Sequence, residues 1–131
     1  MPTDQDAPFR ILVVEDELLI AMEIEDVLEN MRCEVVGPTA RLAVALQLAS
    51  EEALDAAILD VTISGGKVFP VAEILLERQI PFLLASGYGD WALPENLRDR
   101  PRLTKPFTIE ELEEHLRLLC AEAALRRRQG L

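Results

Sequence analysis

Positive charge is scarce in this 131-residue chain: 13 lysines and arginines stand against 24 acidic residues, a formal net charge of −11. That balance argues against duplex DNA or an anionic membrane as a direct target. The basic cluster Arg126-Arg127-Arg128 is placed to end a helix, where cations favour the negative end of the dipole. Cysteine is nearly absent. Cys33 and Cys120 are far apart in sequence and lack metal-ligand spacing, so both read as small buried apolar groups in a reducing compartment. No apolar run approaches the ~20 residues of a membrane span. Met1 to Pro8 is polar and acidic with no hydrophobic core of a secretory signal, so a cytoplasmic protein is expected. There are no internal repeats, and the length leaves little room for a second folded module. The expectation is one domain with no attached output domain.

What the chain does have is a regular alternation of strand-like and helix-like stretches. Arg10 to Val14 is a β-branched run of strand length that ends in Glu15 and Asp16. Ile20, Ile24, Val27, Leu28 and Met31 then fall on one helical face. Cys33 to Val36 reads as a second strand closed by Gly37-Pro38. Thr39 is a candidate cap for a second helix with Leu42, Ala45, Leu46 and Ala49 inward. Leu54 to Leu59 forms a third strand ending at Asp60. A third helix is expected from near Lys67, with Pro70 in its first turn. Pro81 to Ala85 is a fourth strand ending at Ser86-Gly87. Tyr88 to Pro101 holds Gly89, Pro94 and Pro101 and a weak apolar pattern, so its helix is expected to be poorly formed. Arg102 to Thr104 is a short fifth strand ending at Lys105-Pro106. Thr108 and Glu111 make a capping box for the last helix.

Five strand–helix alternations imply an α/β fold, a doubly wound parallel sheet covered on both faces. The flavodoxin-like five-stranded order 2-1-3-4-5 is the expected arrangement. Strands one and three are then neighbours, about 5 Å apart, and Glu15, Asp16 and Asp60 converge at their carboxyl ends. Three close carboxylates require a proton or a hard cation among them. Magnesium suits such a site, with Asp16 and Asp60 as direct ligands, the backbone carbonyl of Thr62 completing the set, and Glu15 acting through water. Lys105 and Ser86 lie on the same sheet edge. They supply a cation and a hydroxyl for a phosphoryl group on Asp60, which would act as a carboxylate nucleophile. Singly, each residue has an ordinary reading as a helix cap, a loop acid or a charge offset. Together, each follows an apolar strand and is of the type the chemistry needs.

These positions resemble the receiver domain of two-component response regulators. The likeness spans about residues 9–125, leaving 1–8 as a disordered lead-in and 126–131 as a basic tail. Glu15-Asp16, Asp60, Ser86 and Lys105-Pro106-Phe107 each match a motif position. The resemblance implies phosphorylation of Asp60 from a sensor histidine kinase or phosphotransfer protein, with magnesium required. It implies that Ser86 is the switch hydroxyl, that the Lys105–Pro106 bond is cis, and that a downstream protein reads the 87–101 surface. Pro81-Phe82-Leu83-Leu84-Ala85-Ser86-Gly87-Tyr88 is similar to the Pro-Phe-x-Phe-Ala-Thr-Gly-Tyr motif of a single-domain subgroup. Two positions depart from the family: Arg102 stands where receivers carry a switch aromatic, and Ile63-Ser64 replaces the usual Met-Pro. Tyr88 is a candidate to take the aromatic's role, and Trp91 is either a contact residue or a local anchor. Two other functions compete. A haloacid-dehalogenase-like phosphohydrolase would want an acid where Thr62 stands. A non-phosphorylated interaction domain on this fold would more naturally lack Lys105 or one acid.

Overall fold

A computed structural model of the protein describes residues 7–87 and 92–130. Five parallel strands form the sheet: β1 (Arg10–Val14), β2 (Glu34–Thr39), β3 (Ala56–Asp60), β4 (Phe82–Ser86) and β5 (Arg102–Thr104). Their order is β2-β1-β3-β4-β5, all pairs parallel, as the alternation implied. Among the described residues four α-helices accompany them: α1 (Leu18–Asn30), α2 (Leu42–Glu51), α3 (Phe69–Glu77) and α4 (Ile109–Arg128).

The strand sequences explain the layering. Successive strand side chains point to opposite faces, so a strand covered on both sides reads as unbroken apolar sequence. Leu12, Val14, Ala57, Leu59, Phe82 and Leu84 pack against α2 and α3. Ile11, Val13, Ala56, Ile58, Leu83 and Leu103 pack against α1 and α4. All five residues of β3 and of β4 are buried, Asp60 and Ser86 included. The edge strands β2 and β5 are partly exposed.

Local chemistry refines the expected element ends. β2 runs on through Gly37 and a cis Gly37–Pro38 bond to Thr39. Gly37 has φ +97°, and a Cβ there would meet the Val13 carbonyl oxygen at 3.0 Å, so only glycine passes the β1 edge at this point. Thr39 therefore ends β2 and does not cap α2. Arg41 takes the cap position with no side-chain cap bond. The first turn of α2 is instead held by the loop after β3, where the Leu42 N–H donates to the Ser64 carbonyl at 3.0 Å. The third helix starts at Phe69, close after Lys67 and with Pro70 in its first turn, once Gly66 and Lys67 have paired with Thr62 and Ile63 as a small antiparallel hairpin.

Between β4 and β5 the described residues hold one 3-10 turn, Glu95–Leu97, in place of an α-helix. Leu93 and Leu97 are buried in the α2/α3-side cluster. Tyr88 and Trp91 lie outside the described residues. The capping box is present at α4, with Thr108 accepting from the Glu111 N–H at 3.1 Å and Glu111 accepting from the Thr108 N–H at 3.2 Å. Along that helix Ile109 is exposed, while Leu112, Leu116, Leu119 and Ala123 are buried. α4 continues through Arg128, with Arg126, Arg127 and Arg128 in its last turn as the charge pattern implied. Arg127 pairs with Asp55 at 3.1 Å and stacks over Phe9 at 4.3 Å. Among the described residues, no helix is long and apolar enough to cross a membrane.

Candidate functional site

The site lies where β1 and β3 deliver their carboxyl ends side by side. Val14 pairs with Leu59, so the next residues on each strand, Glu15 and Asp60, meet across the gap. The Glu15 N–H donates to the Thr39 carbonyl at 3.0 Å, which holds the turn out of β1 against β2. Asp16 comes next, on the solvent side, and is exposed. Glu15, Asp16 and Asp60 each offer a carboxylate oxygen, and these lie within 4.8 Å of one another. Two of the acids are almost fully buried: Glu15 is 3% and Asp60 5% exposed.

Lys105 reaches this cluster from β5. Its N–H donates to the Ser86 carbonyl at 2.8 Å, and the Lys105–Pro106 bond is cis. The ammonium lies 3.0 Å from Asp60 Oδ2 and 2.9 Å from Glu15 Oε2. It also contacts Glu17 Oε1 at 3.3 Å. Glu17 has no counterpart among the sequence candidates. It precedes α1, and its N–H bonds to Glu15 Oε2 at 3.0 Å, so it belongs to the same turn.

One ammonium does not neutralise this group. Burial, then the charge of Glu15, pushes the Asp60 carboxyl up from 3.8 to about 8, against the opposing pull of Lys105. Burial also disfavours the Lys105 ammonium, yet its bonds to Glu15 and Asp60 outweigh that and hold its pKa above the ordinary lysine range. The donor set fits a hard divalent cation: carboxylate oxygens within reach of one ion, and Asp16 open to water that would fill the remaining positions.

The remaining candidates line the same edge. Ser86 ends β4, next to β3 through the Asp60–Ala85 register. Its hydroxyl is buried and has no hydrogen-bond partner among the described residues, an arrangement that leaves it ready to donate to an incoming acceptor. Thr62 sits two residues past Asp60, and its N–H approaches Asp60 Oδ1 at 3.4 Å. The Thr62 hydroxyl accepts from Lys67 Nζ at 2.7 Å. Arg102 is exposed on the edge strand. Glu15, Asp16, Asp60 and Lys105 thus form one contact group, with Ser86 and Thr62 beside it.

No family model matches the chain. It is 46% identical to SdrG from Sphingomonas melonis Fr1, whose solution structure matches with a TM-score of 0.74 over 86% of this chain and 97% of that one. It is 34% identical over 116 residues to the transcriptional regulatory protein PdtaR of Mycobacterium tuberculosis, covering 84% of this chain and 57% of that protein. A CheY-like response regulator receiver domain protein from Methanospirillum hungatei JF-1 shares the fold, with a TM-score of 0.76 at 20% identity over 88% of this chain and 97% of that one. The chain spans about half the length of the curated relatives it matches.

Proposed function

The chain belongs to the receiver domains of response regulators, and from that premise we propose that Asp60 accepts a phosphoryl group in a two-component relay. The observation that carries this reading is the shared pocket: buried Asp60 lies 3.0 Å from Lys105 Nζ and within 4.8 Å of two further carboxylates. The donor is a sensor histidine kinase or a phosphotransfer protein. Asp60 attacks the phosphorus, the phosphorus–nitrogen bond of the phosphohistidine breaks, and the imidazole leaves. Glu15, Asp16, Asp60 and the Thr62 carbonyl would hold Mg2+, which supplies charge neutralisation and orientation of the phosphoryl oxygens when bound.

The chain's own groups then divide the new charge. Lys105, already on Asp60 Oδ2, is within reach to track a phosphoryl oxygen by side-chain rotation. The unpartnered Ser86 hydroxyl donates to another. Ser86 leads directly into the 87–101 stretch, so its displacement passes to that surface, which a downstream protein reads. With Arg102 at the usual aromatic position, this route runs through Ser86 and the adjoining stretch, not through a rotating aromatic on β5.

The test is incubation with acetyl phosphate and Mg2+ and then intact mass. One phosphoryl group is expected per wild-type chain, and none in Asp60→Asn or in the presence of EDTA. Phosphorylation of Asp60→Asn to the wild-type level, or steady turnover of an added phosphoester, would overturn the reading.

A further inference from the structure

We propose that Cys33 and Cys120 form a reversible intrachain disulfide that ties the α1–β2 corner to α4. Although 87 positions separate them in sequence, their sulfurs lie 3.8 Å apart. Both belong to the cluster that packs α1 and α4 on the sheet. Cys33 is fixed in the turn that closes α1, its N–H donating to the Leu28 carbonyl at 2.9 Å. It directly precedes β2, so the pair sits toward the opposite edge of the sheet from Asp60.

A disulfide needs a sulfur separation of about 2.0 Å, so the sulfurs must approach by about 1.8 Å. Rotation about χ1 on one or both side chains is the motion required. The two residues differ in access. Cys33 is buried and Cys120 is half-buried, so Cys120 is the side that meets a small oxidant. In the reduced pair the contact between the two thiols lowers the Cys33 thiol and raises Cys120.

The oxidant is a low-molecular-weight disulfide. Cys120 sulfur attacks one of its sulfurs, the small S–S bond breaks, and the small thiolate that leaves takes up the Cys120 proton. Cys33 sulfur then attacks Cys120 Sγ, the mixed disulfide breaks, and the second small thiolate leaves. The two protons end on the two released thiols. The protein has lost two hydrogens, and the small disulfide has been reduced.

The consequence is mechanical. The bond would close a loop of more than half the chain, and such closure restricts the unfolded ensemble strongly. It would fix the spacing of α1 and α4 while leaving the Asp60 pocket untouched.

The purified protein, equilibrated in oxidised and reduced glutathione and then acid-quenched and alkylated, tests this. In the oxidised buffer the intact mass is expected to fall by two hydrogens, with both cysteines protected and a Cys33–Cys120 linked peptide in a non-reducing map. The melting temperature is expected to rise by roughly 10 °C and to return on adding dithiothreitol. Cys33→Ser is expected to stop at a glutathione adduct on Cys120. Wild-type protein that stays alkylatable at both cysteines, stops at the Cys120 adduct, or links only between chains overturns the proposal. The wild-type peptide map decides this even if the variant fails to fold.

Discussion

Asp60→Asn is expected to stabilise the protein in metal-free buffer, by an amount that grows with pH. The carboxyl is held at about 8 in the folded chain against an ordinary value of 3.8. Between those values the folded state keeps a proton that the unfolded state releases. Stability from this group is therefore complete below the lower value and is lost as pH rises through the upper one. The limiting slope for one proton is about 1.4 kcal/mol per pH unit. Relaxation and water entry around the pair reduce the sum, so a gain of about 2–3 kcal/mol for Asp60→Asn near pH 8 is the working figure. Urea melts of both proteins in EDTA, at about pH 4.5 and about pH 8, give the difference directly. Other titrating groups are common to both proteins and cancel to first order. The gap is expected to be small at the lower pH and wide at the higher. Mg2+ narrows it by stabilising the wild type. A gap that does not change with pH, or a variant less stable than wild type near pH 8, would refute the claim that the Asp60 charge is strained.

The same contacts give three further expected outcomes. Lys105→Ala leaves Glu15 and Asp60 buried without their cation and is expected to cost about 3 kcal/mol near pH 9, above the value at which Asp60 ionises. The cost is smaller near pH 5, where Asp60 keeps its proton; urea melts at the two pH values read both. Ser86→Ala removes a buried hydroxyl with no partner among the described residues, so stability is expected to be unchanged or up to about 1 kcal/mol higher. The phosphorylated Ser86→Ala protein is expected to lose the amide shift changes that the wild type shows over residues 92–101. Thr108→Ala breaks the capping box of α4 and is expected to cost about 1 kcal/mol in a urea melt, with Mg2+ affinity unchanged.

Much of the sheet was readable because doubly covered strands announce themselves as apolar runs. Asp60 stood out as the carboxylate that stops such a run, and β3 is buried through that residue. The α4 cap was readable because both halves of the box lie within four residues and bond to each other. The start of α2 was not. Its orphan N–H finds the Ser64 carbonyl, a tertiary partner, so no local cap was needed and Thr39 misled. Glu17 escaped notice for a related reason. Its contact is Lys105, brought close only when β5 docks, and nothing near Glu17 in sequence signals it. Cys33 and Cys120 were read as separate apolar groups because spacing reveals only neighbours on one element, whereas these meet across two. The segment before β5 was legible in part: its prolines and weak periodicity implied a poorly formed helix, and the described residues there hold only a 3-10 turn.

The central claim, that the buried carboxylate beside Lys105 is the phosphoryl acceptor, is tested most directly by reductive trapping. Protein phosphorylated with Mg2+ and acetyl phosphate is treated with borohydride, which converts an aspartyl phosphate to homoserine, and the product is sequenced by mass spectrometry. Homoserine at position 60 alone is the expected result. Trapping at Glu15 or Asp16, or a phosphoryl group that resists borohydride because it sits on a histidine or hydroxyl, would contradict it.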